Sequence, residues 1–387
     1  MKSAILGFGI VGSGTYEVLT HSSVKIDVKR ILDIRTNPLV ADKITADIND
    51  ILNDPEIEIV AETMGGLHPA YEYVTAALKA GKNVVTSNKK LVATYYEELI
   101  KLAEEKGVSF RFTPSAGGGI PWLSNIVRRA ATEKILKVQG IINGTTNYIL
   151  DCMQTRGADF SDVLSEAQNL GYAERDPSSD IDGEDVKFKC ALSASCAFCV
   201  HVHEADIPTF SLRTVQSSDL DYAAKMGMCI RYMAFAANKG NGVFSAYVEP
   251  AFVPAGSLES AVHLNNNLVS LFGEYSGRLS FFGQGAGKYP TGAAVAADMI
   301  AISKAKNFPV ICNGSGKVDN SAELHRYFIR TTDKSLVLAS VAETCEEKNG
   351  IYYTITREVS VADMHKIAIE IKKNDENVFF AGIHTEV

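Results

Sequence analysis

The chain lacks the features that would place it across a membrane, on nucleic acid or in a disulfide scaffold. No apolar run approaches the roughly 20 residues that cross a bilayer as a helix. Positive charge is in deficit: 38 Lys and Arg stand against 46 Asp and Glu, a formal net charge of −8, whereas phosphate binding calls for a basic face. Cysteine is scarce, with 7 in 387 residues, and an odd, scattered set suits reduced thiols better than disulfides. Cys190, Cys196 and Cys199, followed by His201 and His203, could read as a metal site. They lie in CALSASCAFCV, an apolar helical stretch on which Cys190 and Cys196 point well apart, so packed thiols are expected and no metal ligand is assigned. Internal repeats and low-complexity tracts are absent. The stretch MKSAILGFGIVGSG lacks the cleavage pattern of a signal peptide, and a cytoplasmic protein is expected.

What is present is a rhythm of strands and helices. KSAILGFG, VKRILDI, EIEIVAETMGG, KNVVTSN and VSFRFTPS read as strands. Helices are expected over Val11–Leu19 and in PAYEYVTAALKAG and ATYYEELIKLAEEKG. This alternation builds parallel βαβ units. Past about residue 125 the rhythm changes: strand-like KILKVQGIING, VFSAYVEP and RLSFFGQG stand among helical stretches, and a helix over Thr291–Ala305 can return to the first domain. From Leu324 a further unit reads strand (HRYFIRTT), helix (SLVLASVAETCEEK), strand (GIYYTITREVS), helix (ADMHKIAIEIKKN) and strand (VFFAGIHTEV). The expected fold class is α/β. A Rossmann dinucleotide-binding domain covers 1–125 plus about 290–318, an α+β substrate domain 126–289, and a small C-terminal α+β unit 319–387.

Gly7-Phe8-Gly9-Ile10-Val11-Gly12 is a G-x-G-x-x-G between a predicted strand and a predicted helix, the context that gives the pattern meaning. Gly7 allows the tight turn, Gly9 lets backbone approach a pyrophosphate, and Gly12 lets helix and strand pack closely. The helix N-terminus, entered through Ile10 and Val11, faces the negative charge. Asp33 closes VKRILDI, where an acid accepts the adenine-ribose hydroxyls of NAD; Arg35, two residues on, could pair with the 2′-phosphate of NADP. NAD or NADP is therefore the expected cofactor, with a slight lean to NAD. GQGAGKYP is not a Walker A loop, because Phe282 and Tyr289 stand where its first glycine and its Ser or Thr belong. Gly283, Gly285 and Gly287 more naturally bring backbone close to the cofactor.

Residues 171–189, GYAERDPSSDIDGEDVKFK, crowd Glu174, Asp176, Asp180, Asp182, Glu184 and Asp185 around Arg175, Lys187 and Lys189. Ser178, Asp180, Asp182 and Gly183 match the first positions of a calcium loop, but Lys189 stands where the bidentate Glu is required. The other reading is acid–base chemistry. On a helix starting near Asp182 or Gly183, Asp185 and Lys189 are an i,i+4 pair, commonly mere surface stabilisation. Here the helix continues into Val186, Ala191 and Leu192, placing the pair at the edge of a core or cleft, where its ionisation can be tuned.

GFGIVG, TSNKK, GGGIP, NGTTNYIL, the run from GYAERDP through Lys189, and GQGAGKYPTG occur in one order over roughly residues 1–318. In these motifs the chain resembles the homoserine dehydrogenases. The resemblance implies NAD(P)-dependent interconversion of L-homoserine and L-aspartate 4-semialdehyde, on the branch toward threonine and methionine. It also implies a homodimer built through the middle domain. Carried over by residue, it implies substrate binding by Glu174, Asp180, Gly144 and Thr145, and catalysis by Lys89, Lys189 and Asp185. Lys89 is read as the proton-transferring residue, Lys189 as its electrostatic partner, and Lys90 as a solvated neighbour. Two departures stand out. The glutamate that contributes to the family's monovalent-cation site is replaced by Thr113, leaving backbone carbonyls for a weakly held sodium. The tail, 319–387, has the strand–helix order of an ACT domain without its first glycine turn, a degenerate ACT-like unit in which threonine feedback is not expected. The competing expectations are a dehydrogenase of another small amino acid and a non-catalytic dinucleotide or amino-acid sensor.

Overall fold

Ser3, Ala4, Ile5 and Leu6 are all fully buried, because the strand they form, β1 (Lys2–Leu6), lies in the middle of a parallel sheet whose residues bury both faces. The computed structural model describes residues 1–304, 314, 316–334 and 336–386. Contacts divide the chain into two units: Met1–Lys134 with Ser195–His203 and Gly283–Gly314, and Ile135–Ala194 with Glu204–Phe282 and Ser315–Val387.

In the first unit, β1 is joined by β2 (Asp27–Leu32), β3 (Ile44–Thr45), β4 (Ile57–Glu62), β5 (Asn83–Thr86) and β6 (Phe110–Arg111), all parallel, in the order β3-β2-β1-β4-β5-β6. The chain runs outward from β1 to β3, then returns beside β1 and runs the other way, so the order reverses between β1 and β4. Ligands of open α/β sheets sit at the carboxyl ends of the strands at such a switch point. The helix Ile10–His21 packs against a later helix, Lys288–Ser303, backbone on backbone: a Cβ on Gly14 would lie 2.2 Å from the Lys288 carbonyl oxygen, and one on Gly292 would lie 2.7 Å from the Gly14 carbonyl carbon. Val295 and Met299 of that later helix share one core with Ile5, Leu19, Ile31, Ile59 and Val85. The returning helix starts at Lys288, ahead of the expected Thr291; residue 305, its expected end, lies outside the described residues.

The second unit is built on a mixed sheet. Its strands are β7 (Ile135–Ile141), β8 (Met228–Gly240), β9 (Val243–Pro254), β10 (Asn266–Gly273) and β11 (Gly277–Gln284). The C-terminal segment adds β12 (Lys317–Val318), β13 (Leu324–Thr331), β14 (Ala342–Lys348), β15 (Ile351–Thr356), β16 (Val359–Ser360) and β17 (Phe379–Ile383). The order is β11-β10-β7-β8-β9-β17-β13-β15-β14, with β12 beside β9 and β16 beside β13. The tail thus extends the sheet of the middle region, Gly382 of β17 lying opposite Ala251 of β9.

The expected helix over SLVLASVAETCEEK is corrected. A helix covers only Leu336–Val341, and the remainder is β14, paired antiparallel with β15. The deciding feature is Asn349-Gly350, with φ of +54° and +79°. Lys348 lies opposite Ile351 across these two residues, the arrangement of a two-residue hairpin, in which Asn-Gly favours both left-handed conformations. The hairpin overrides the helical propensity of Glu346, Glu347 and Lys348.

A buried ion pair holds the tail to the rest of this unit. Arg330 of β13 donates from Nε to Asp219 Oδ1 at 2.7 Å, from Nη2 to the Thr214 carbonyl at 2.6 Å and from Nη1 to the Asn377 carbonyl at 3.1 Å. Asp219 is fully buried, and burial, opposed by Arg330, pushes its carboxyl up to about 6. Removing one partner of such a pair leaves an uncompensated charge in the core. Arg330→Ala is expected to lower the unfolding free energy by about 3–5 kcal/mol, and the double change Arg330→Met with Asp219→Leu to recover most of the loss; urea denaturation of the three proteins measures both.

Candidate active site

At the carboxyl end of β1, Gly7 has φ +88° and its N–H donates to the Leu32 carbonyl at 2.8 Å. A Cβ on Gly12 would stand 2.0 Å from the Gly7 carbonyl oxygen, so only glycine lets the helix come this close to the loop. Gly9 is the N-cap of the helix Ile10–His21; no side chain caps it and its first turn carries no acid. A Cβ there would meet nothing nearer than Arg35 Nη2 at 4.0 Å, which leaves the space over Gly9 open to a pyrophosphate, with Ile10, Val11 and Gly12 supplying N–H groups. These residues fit a dinucleotide.

Asp33 is engaged on both oxygens. Oδ2 accepts from the Phe8 N–H at 2.8 Å and Arg35 Nη2 at 3.0 Å; Oδ1 accepts from the Arg35 N–H at 2.9 Å and Nε at 3.1 Å. Hydrogen bonds from Arg35 hold its carboxyl far below the usual range against the opposing effect of burial. Arg35, 70% exposed on its side chain, lies beside the glycine loop. Gly287, with φ +128°, caps the helix Lys288–Ser303. The Gly285 backbone is in contact with the turn at Gly117–Gly119: a Cβ on Gly118 would lie 2.4 Å from its carbonyl carbon.

Lys89 opens the helix Lys89–Thr94 just past β5. Its placement depends on Glu62, which the sequence reading passed over. Glu62 ends β4, is fully buried, accepts the Met64 N–H at 2.7 Å and the Thr86 hydroxyl at 2.5 Å, and burial pushes its carboxyl up. Thr86 Oγ1 accepts the Asn88 N–H at 3.0 Å, and Asn88 Oδ1 caps the helix through the Leu91 N–H at 3.1 Å. Lys89 and Lys90 are both half-buried.

The charged stretch belongs to the second unit. A short helix, Ser178–Ile181, breaks at Gly183 (φ +82°), where a Cβ would strike the Tyr232 hydroxyl at 2.0 Å, and the helix Glu184–Phe198 follows. Asp185 and Lys189 face inward at 5% and 8% exposure. Lys189 Nζ donates to Asp185 Oδ2 and to the Ile142 carbonyl, each at 2.7 Å. Asn143 Nδ2 donates to Asp180 Oδ1 at 2.7 Å and Asp185 Oδ2 at 2.9 Å. Burial and the Asp185 charge push the Asp180 carboxyl up. Thr145 donates to the Tyr172 carbonyl at 2.6 Å, and a Cβ on Gly144 would lie 2.7 Å from the Asn265 carbonyl oxygen. Glu174 is exposed; the Glu174 carbonyl accepts from Gln168 Nε2, and its carboxylate bonds to no described residue. Asp182 pairs with Arg213 at 2.6 Å, and Asp176 accepts the Ser178 N–H.

So the structure brings Asp180, Asp185, Lys189 and Thr145 together, while Glu174 stands exposed to solvent and bonded to none of them. Asn143, also passed over, was legible only as the N-cap of NGTT; that its amide nitrogen reaches two carboxylates needed the fold.

Thr113 brings a hydroxyl and not a carboxylate to its position. The carboxylate beside it, Asp298, accepts from Arg111 Nε at 3.0 Å, the Thr113 N–H at 3.1 Å and the Thr113 hydroxyl at 2.9 Å, and the buried Arg111 guanidinium already supplies the positive charge. Cys190 donates to the Phe235 carbonyl at 3.5 Å, burial pushing its thiol up to about 12, and the Cys196 sulfur lies 4.0 Å from the Tyr96 hydroxyl. No group of three His, Cys, Asp or Glu able to hold a metal occurs among the described residues, and no described helix is long and apolar enough to cross a membrane.

A parallel sheet with a glycine loop at its switch point, together with a buried carboxylate–lysine pair, defines an NAD(P)-dependent dehydrogenase. Residues 7–113 match the profile "Homoserine dehydrogenase, NAD binding domain" and residues 121–300 the profile "Homoserine dehydrogenase". The homoserine dehydrogenase of Pseudomonas aeruginosa is 37% identical over 316 residues, covering 79% of this chain and 73% of that protein. That of Mycobacterium tuberculosis is 33% identical over 391 residues, covering 94% and 86%. The crystal structure of a homoserine dehydrogenase from Thiobacillus denitrificans superposes with a TM-score of 0.89 at 29% identity, over 100% of this chain and 98% of that one. The chain belongs to the homoserine dehydrogenase family, oxidoreductases that interconvert L-homoserine and L-aspartate 4-semialdehyde.

The glycine loop yields a test. Gly12→Ala is expected to raise the dissociation constant for reduced dinucleotide at least about tenfold, the cost of moving a clashing loop, whereas Gly256→Ala, where a Cβ meets nothing within 4 Å, leaves it unchanged; cofactor-fluorescence titration reads both.

Proposed function

We propose that the first unit holds NAD(P) over Gly7–Gly12 while the second binds L-homoserine, with Asp180 and Glu174 on the α-ammonium and the hydroxyl, and Gly144 and Thr145 completing the site. The bound nicotinamide supplies a hydride acceptor. Lys89, as a neutral amine, takes the hydroxyl proton as the carbon is oxidised; in reverse its ammonium protonates the aldehyde oxygen. Lys189 stabilises negative charge on that oxygen. Its ammonium carries three N–H bonds; among the described residues Asp185 and the Ile142 carbonyl accept two, and the third is assigned to substrate. That buried, oriented pair is the observation that carries the reading, since binding alone does not call for it.

Purified protein with L-homoserine and NAD⁺ or NADP⁺ is expected to generate reduced cofactor at alkaline pH. Lys89→Met is expected to lower kcat by about 10²–10⁴-fold, the usual contribution of a general base; near-normal turnover in that variant removes Lys89 from the role. Turnover of another amino acid instead of homoserine would favour a different dehydrogenase, and binding without turnover a sensor.

Cofactor choice rests on Arg35. Its pairing with Asp33 neutralises the carboxylate that would repel a 2′-phosphate, and its exposure lets it swing away so that Asp33 meets ribose hydroxyls. Both cofactors are used in this reading. Arg35→Ala is expected to lower kcat/KM with NADP⁺ at least about tenfold, the worth of a charge-assisted contact, while activity with NAD⁺ holds; equal losses with both would refute the assignment. We further assign residues 1–125 with about 290–318 to cofactor binding, 126–289 to substrate binding and dimerisation, and 319–387 to an ACT-like unit with a structural role and no threonine feedback. The protein acts as a cytoplasmic homodimer.

A further inference from the structure

We propose that Asn143 is a positioning residue for this reaction, its one side-chain amide holding Asp180 and the Asp185–Lys189 pair in a single arrangement. The inference rests on the reading that Asp180 binds the substrate ammonium and Lys189 serves the reacting oxygen.

Asn143 is 4% exposed and uses its whole hydrogen-bonding capacity. Its oxygen accepts the Thr146 N–H at 2.8 Å and the Thr146 hydroxyl at 3.0 Å, capping the helix Gly144–Arg156. Its nitrogen donates to Asp180 at 2.7 Å and Asp185 at 2.9 Å. The orientation of the amide is unambiguous, because turning it over would set its oxygen against two carboxylates and its N–H groups against a backbone donor. Capping alone does not require asparagine, since Ser and Asp cap equally well. Asparagine joins a cap acceptor to two neutral donors.

Those donors stand where charge is hardest to balance. Asp180 and Asp185 reach one nitrogen from separate helices, and Lys189 donates to Asp185 as a cation. The groups bearing on Asp180 are Asp185 and Lys189 from the helix Glu184–Phe198, Asn143 at the N-cap of the helix Gly144–Arg156, and Thr145 in its first turn. Burial and Asp185 oppose its ionised form; Asn143, Lys189 and Thr145 favour it. Without the amide, Asp180 would hold its proton to higher pH and bind an ammonium less well, and the Asp185–Lys189 pair would lose its link to the ammonium site.

Asn143→Ser and Asn143→Asp both keep the cap oxygen and remove the bridge, so the helix is retained. For Asn143→Ser the KM for L-homoserine at neutral pH is expected to rise about tenfold, the worth of a charge-assisted hydrogen bond. The pH at which KM climbs on acidification should move up by about one unit, the same free energy expressed as protonation. The loss should recover in part at alkaline pH, with dinucleotide KM unchanged. Asn143→Asp, which adds a carboxylate, is expected to shift further the same way. A KM profile coincident with that of the parent in both variants, or a loss equal at every pH, overturns the proposal. Asp180→Asn separates the underlying reading: if it leaves homoserine KM unchanged, the assignment of Asp180 falls; if it raises KM while both Asn143 variants match the parent, only the role of Asn143 falls.

Discussion

Two carboxylates, half-buried Asp180 and buried Asp185, are held within reach of one amide nitrogen, and the chemistry of the second unit depends on keeping them there. Like charges in a poorly solvated site repel strongly. The balance is met by Lys189, which bonds Asp185 and the Ile142 carbonyl, and by Asn143, which bonds both acids. The four partners come from three elements: Asp180 from the short helix before Gly183, Asp185 and Lys189 from the helix after it, and Asn143 from the end of the segment following β7. The break at Gly183 makes this possible. Its left-handed backbone and its contact with the Tyr232 hydroxyl leave no room for a side chain, and it redirects the chain so that Asp180 and Asp185 meet again.

The first unit solves a different problem, close approach of backbone. Gly7 and Gly12 bring loop and helix together, and Gly14 with Gly292 lets the returning helix lie on the first one. Beyond β4 and β5, the constraint is a buried acid. Glu62 gathers the Met64 N–H and the Thr86 hydroxyl, and Thr86 in turn receives the Asn88 N–H, so the cap that starts the helix of Lys89 is anchored in the sheet. A buried acid at the end of β4 thereby anchors the helix that carries the proposed proton carrier.

Around Thr113, Arg111 with Asp298 forms a buried pair that also takes up the Thr113 N–H and hydroxyl. The tail follows the same logic: Arg330 and Asp219 tie β13 to the helix Ser217–Lys225, and β17 joins β9 edge to edge.

Much of this was legible in the sequence, for a physical reason. Local patterns report local physics: apolar runs between helical periods specify a parallel sheet, G-x-G-x-x-G after a strand specifies a close turn, and Asp185 with Lys189 at i,i+4 specifies one helix face. The motifs also carried the family. What the sequence could not reveal depended on partners distant along the chain. An asparagine at a helix start reads as a cap, and nothing adjacent says that its nitrogen will find Asp180 and Asp185. An acid ending an apolar strand reads as a strand terminus, and nothing near Glu62 says that Thr86 will lie beneath it. The run Ala342–Lys348 reads as helix until the Asn349-Gly350 turn folds it onto β15. Hydrogen bonds between remote residues, and the burial that makes them strong, exist only once the tertiary structure has formed.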